Sequence, residues 1–123
     1  MTALSHQEKR RKRERAERTR RIRELNDAFR RTFSGGKVVM TAGVDALPDM
    51  VKAEALKQAA TFGQFNEDND PHGEHDFGSF ELCGRKFFWK IEYYDRAMEH
   101  GSEDPSNAAK TTRVMTVMLA SEY

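Results

Sequence analysis

The sequence predicts a small α/β (α+β) fold, a two-layer sandwich in the order α-β-α-β-β-β, with a basic arm in front of it. Three observations lead there. Apolar residues repeat with a helical period over residues 22–33 and again over 51–62. They alternate with polar ones across 80–93, the period of strands with one buried face. Charge also divides the chain. Residues 1–37 hold thirteen Lys and Arg against five Asp and Glu, a net of +8, whereas residues 38–123 hold eight against fifteen, a net of −7.

The elements follow in order. Residues 8–23 contain no apolar side chain but Ala16 and Ile22, yet Glu14 with Arg18 and Glu17 with Arg21 have the i,i+4 spacing of a helix surface. A helix there has no stripe to bury, so residues 1–20 are expected as a charged arm, helical or disordered. A single domain is expected over 21–123. Its first helix aligns Ile22, Leu25, Phe29 and Phe33 on one face and stops at Ser34-Gly35-Gly36. The run 37–41 (KVVMT) is rich in β-formers, and Pro48 stands where the first turn of a helix tolerates it. Val51, Ala55, Ala59 and Phe62 give the second helix its face, ended by Gly63.

Phe80 and Leu82, then Phe87, Trp89, Ile91 and Tyr93, predict a hairpin. A two-residue turn at Gly84-Arg85 sets Leu82 opposite Phe87 and Phe80 opposite Trp89. Residues 111–119 read two ways. Their Thr and Val content favours a strand, while Val114, Met115, Met118 and Leu119 also suit a helix. The expectation is a strand that completes an antiparallel meander, with both helices on one sheet face.

At 123 residues there is room for one domain. No apolar run approaches the roughly 20 residues of a membrane-spanning helix. The N-terminus is basic like the start of a signal peptide, but Arg continues where an apolar segment belongs. Cys83 is the single cysteine, which excludes an intrachain disulfide and a multi-cysteine zinc site. A cytoplasmic location is expected.

Five segments carry a resemblance: RIRELNDAFR (21–30), GGKVVMTAGV (35–44), NEDNDPHGEHDFG (66–78), FFWKIEYYD (87–95) and TTRVMTVMLASEY (111–123). Through them residues 21–123 resemble an uncharacterised bacterial family, domain of unknown function 3768. The resemblance implies a small protein often encoded near plasmid or prophage genes, with no assigned activity. The basic arm lies outside it.

Three groups of residues are candidates for chemistry. In the arm, Lys9, Arg10, Arg11, Lys12, Arg13, Arg15, Arg18, Arg20, Arg21 and Arg23 have the charge to neutralise phosphates along a nucleic acid. No leucine heptad follows to dimerise such a helix, and no RNP, KH or zinc-finger signature accompanies it. In the loop 66–76, Asp68, Asp70, His72, Glu74, His75 and Asp76 are candidate ligands for a divalent metal. Asp68, Asp70 and Gly73 copy positions one, three and six of a calcium loop, but position twelve is Ser79 rather than Glu. The same Asp and Asn residues before Pro71 and Gly73 are also ordinary turn-formers. Their crowded charge calls for a neighbouring cation, whether Arg30, Arg113, the arm or an ion. On the outer sheet face Phe88, Lys90 and Tyr94 suit a protein interface or a platform for stacked bases. Cys83 has no visible base, and nucleotide-binding and serine-hydrolase motifs are absent.

The leading expectation is a non-enzymatic binding protein without a cofactor, whose arm contacts nucleic acid or a nucleoprotein complex. The resemblance allows an accessory role in a phage or plasmid, as regulator or antagonist of host defence. One alternative is a metal-dependent phosphoesterase or nuclease built on the 66–76 loop. The other is a self-assembling homo-oligomer in which the arm of one chain meets that loop, with no membrane involved.

Overall fold

The computed structural model describes residues 3–123. Helix α1 runs from His6 to Thr32 without a break. Ser5 caps it, its hydroxyl accepting from the Glu8 amide at 3.1 Å, and Phe33 ends it in the left-handed region at φ 57°. At about 1.5 Å per residue it is roughly 40 Å long. The expected boundary at Arg21 therefore falls inside one helix, and only its second half is built into the domain: Ile22, Asn26, Phe29 and Arg30 are buried.

Strand β1 (Gly36–Met40) follows, then the single turn α2 (Ala42–Asp45) and helix α3 (Asp49–Thr61). Pro48 is the residue just before α3. Strands β2 (Phe77–Leu82), β3 (Arg85–Tyr94) and β4 (Thr112–Leu119) complete the α-β-α-β-β-β order, with the extra turn α2 between β1 and α3. The strand reading of 111–119 holds. The sheet order is β1-β4-β3-β2. β2, β3 and β4 form the antiparallel meander, but β1 joins β4 in parallel, so the sheet is mixed.

The core lies between the helices and one sheet face. Phe29, Ala55 and Ala59 meet Phe87, Trp89 and Ile91 of β3 and Met115, Val117 and Leu119 of β4. Alternate residues are buried along β3 and β4, as the two-residue period requires.

The hairpin register differs from the sequence expectation. The turn is Cys83-Gly84, not Gly84-Arg85, so Leu82 faces Arg85, Phe80 faces Phe87 and Gly78 faces Trp89. Cys83 (φ 53°) and Gly84 (φ 74°) are both left-handed, the geometry of a type I′ turn. The shift is two residues, and since side chains alternate faces every residue, each one keeps its face. Gly78 helps select this register, because a Cβ there would collide with the Trp89 indole.

Candidate nucleic-acid interface

The arm is the first half of α1. Every residue from His6 to Arg18 is exposed, and only the flank toward loop 104–109 has the domain beside it. Among the described residues the predicted bases divide by what holds them. Arg20 bridges Glu17 and Glu24 on its own helix, which lowers the Glu17 pKa and raises that of Arg20. Arg18 reaches Asp104 at 3.5 Å, Arg23 donates to the Gly73 carbonyl at 2.9 Å, and Arg10 lies 4.0 Å from Glu14. Lys9, Arg11, Lys12, Arg13, Arg15 and Arg21 form no ion pair among the described residues. Of these, Arg21 still acts on Glu17 through space, helping to lower its pKa.

The distribution around the helix follows from about 100° per residue. Arg11 and Arg15 continue the face that Ile22 and Phe29 bury lower down, overhanging the end of the sheet. Arg10, Arg13 and Arg21 occupy another flank, and Arg18 stands between the two, about 20° from Arg11. All four line a cleft of about 970 Å³ between α1 and the loop 104–109, whose far wall includes Ser106, Asn107, Ala108 and Ala109.

The acidic loop grips α1 on the flank opposite that cleft. Arg23, Asn26, Asp27 and Arg30 recur at i, i+3, i+4 and i+7, a polar stripe beside the apolar one. Asn26 is fully buried and uses its whole amide. It donates to the Glu74 carbonyl (3.0 Å) and the Tyr93 hydroxyl (2.8 Å), and accepts from Arg113 Nε (2.6 Å). The Tyr93 hydroxyl donates onward to Glu74 at 3.0 Å, and burial raises its pKa. Asp27 holds His75 Nδ1 at 2.9 Å, and Asp70 lies 3.6 Å from the other ring nitrogen. The imidazole stacks on Phe65 at 3.7 Å. Arg30, 3% exposed, donates to the last carbonyls of α3, Ala59 and Phe62, and to Asp27. Its guanidinium lies over the Trp89 ring at 4.6 Å.

Of the metal candidates, Asp68 and His72 are exposed, while Asp70, Glu74 and His75 are engaged in the contacts just described. Asp76 is half-buried, and burial with the nearby Glu74 carboxylate raises its pKa. Among the described residues no three His, Cys, Asp or Glu side chains gather to hold a metal ion. The loop instead shows side-chain-to-backbone bonds of a turn: Asn66 Oδ1 accepts from the amides of Asp68 and Asn69, and Asn69 Oδ1 accepts from the amide of Asn66. Both ring nitrogens of His75 face carboxylates, which leaves neither directed at a substrate.

On the sheet face away from the core, Phe88 packs against Phe77 and Tyr123 at ring separations of 5.2 and 5.3 Å. Lys90 pairs with Glu92 at 2.7 Å, and the Tyr94 hydroxyl donates to the same carboxylate at 2.8 Å. The three predicted interface residues are thus neighbours already engaged with one another's surroundings. Sequence reading missed Asn26, Asp27 and Tyr93. Their signal was the polar i, i+3, i+4, i+7 stripe; apart from the Arg30–Asp27 pair on the helix itself, the partners of Asn26 and Asp27 lie 48 to 87 residues away.

Among the described residues no helix is long and apolar enough to cross a membrane. No curated protein and no solved structure matches the chain. A family model described as protein of unknown function (DUF3768) matches residues 40–122, a span that begins after α1 and so leaves out the whole arm. That span is more than half of the chain, and the protein belongs to this family.

Proposed function

We propose that the protein binds nucleic acid, free or in a nucleoprotein complex, through the projecting half of α1. The observation that carries this reading is the exposed run from His6 to Arg18 on a helix anchored at its other end. A pre-formed helix loses less conformational entropy on binding than a disordered tail does. Its bases neutralise phosphates and release counterions, the main source of sequence-independent affinity. The acidic loop lies against α1 from Thr19 onward, away from the cleft, which leaves the cleft flank and the tip to a polyanion.

The test is fluorescence anisotropy of labelled DNA and RNA against the full chain across a salt series. The comparison is a variant in which Lys9, Arg11, Lys12, Arg13 and Arg15 are all changed to Gln. Affinity should fall linearly in log-log terms, with a slope of about −0.7 to −0.9 per phosphate contacted, and the variant should lose most of it. Equal binding by both proteins, or none at low salt, refutes the assignment.

A further inference from the structure

The cleft beside α1 has more to say than the charge of the arm alone. It lies between Arg10, Arg13, Arg18 and Arg21 of the helix and the loop bearing Ser106 and Asn107. Its carboxylates are already taken. Glu17 accepts from Arg20, Asp104 from Ser106 and Arg18, and Glu14 lies beside Arg10. Arg13 and Arg21 remain without an ion-pair partner among the described residues. The walls thus offer cations and neutral donors to a phosphate chain, and the strongly acidic loop 66–76 is on the other side of the helix.

The geometry points to this cleft as a site for single-stranded nucleic acid, held by its phosphodiester backbone, an inference that rests on the nucleic-acid reading above. A duplex cannot take α1 into its major groove at this position. An α-helix with its side chains is about 10–12 Å across and by itself fills a major groove about 12 Å wide. The loop 104–109 stands directly alongside α1, joined to it by Arg18 and Asp104, and would collide with the walls of such a groove. A flexible single strand makes no such demand and can lie between helix and loop. No aromatic side chain lines the cleft, so bases find nothing to stack on and contacts fall on phosphate and sugar. Binding there is therefore indifferent to base identity.

The experiment titrates the full-length protein against labelled oligo(dT) and oligo(U) of about twelve nucleotides, a length within single-strand site sizes, and a duplex of equal length. Two charge-reversed variants separate the flanks: Arg13→Glu with Arg21→Glu in the cleft, and Arg11→Glu with Arg15→Glu on the overhanging face. A third, Ala109→Glu, places a charge on the opposite, exposed wall and leaves α1 untouched. The expected result is that both single strands bind more tightly than the duplex. The cleft pair should then reduce the single-strand salt slope by about 1.4, two contacts' worth. Ala109→Glu should also weaken binding, while the overhanging pair has the smallest effect. Preference for duplex, or a larger loss from the overhanging pair, overturns the cleft assignment and leaves the arm as the binding element. If none of the probes binds at low salt, both readings fall together.

Discussion

Individual side chains set opposite pH responses in this domain. The Glu122 carboxylate accepts from the Thr41 hydroxyl and from the amides of Gly43 and Leu119, and these bonds hold its pKa below the usual 4.5. A depressed carboxyl contributes stability above its unfolded pKa and loses it as pH falls through the folded one. Asp76 is the reverse: burial raises its pKa, so its ionised form weighs against the fold at neutral pH. Thermal unfolding should show Glu122→Gln less stable than the parent at pH 7, with the gap closing as acid protonates Glu122. Asp76→Asn should be at least as stable as the parent at pH 7. Arg30 gives the largest single effect. Replacing it with Ala strips partners from Asp27 and from the carbonyls of Ala59 and Phe62, and opens space beside Trp89. A loss of about 3–5 kcal/mol in chemical denaturation is the expected outcome. The sequence named Arg30 as a candidate cation beside the acidic loop, but its burial against the end of α3 was not legible there. A guanidinium buried against a helix end is defined by residues about 30 positions further along, and local periodicity carries no information about them.

Elements were easier to read than their pairings. The stripe Ile22, Phe29 located the inner half of α1, and the alternation from Phe87 to Ile91 located β3, because each period reflects a single burial direction. The hairpin turn was placed one residue too late, which moved the pairing register by two. A turn rule favours glycine in the left-handed position but is silent about cysteine there, and Cys83 shares that conformation with Gly84. What settles the register is the fit of Gly78 across from Trp89, a tertiary constraint. The strained position suggests its own repair. Asn tolerates positive φ and Asn-Gly is the favoured type I′ pair, so Cys83→Asn should raise stability by about 0.5–1 kcal/mol in equilibrium unfolding. A destabilised variant would mean the Cys83 side chain contributes packing that its exposure conceals.

For the whole molecule, formal charge is a poor guide to behaviour. The sequence pI of about 7.9 implies no net charge near that pH, yet cations concentrate in one projecting half-helix and anions in the loops around its base. At that pH the full chain should still be retained on heparin and eluted by salt, while the five-Gln arm variant should flow through. This polarity was plain in the sequence from the count on either side of residue 38. Its direction was not, since only the folded clasp of Arg23, Asn26 and Asp27 decides where the arm leaves the domain.

One helix serves both as anchor and as arm, and the protein's single tryptophan lies beneath its anchored end. Arg30 belongs to the same helix as the arm, and its cation covers the indole at 4.6 Å. The molecule thus carries its own optical reporter. Ligand capture at the arm should shift or quench the Trp89 emission with no dye attached, and unchanged emission at saturating nucleic acid would show the two ends of α1 to be uncoupled.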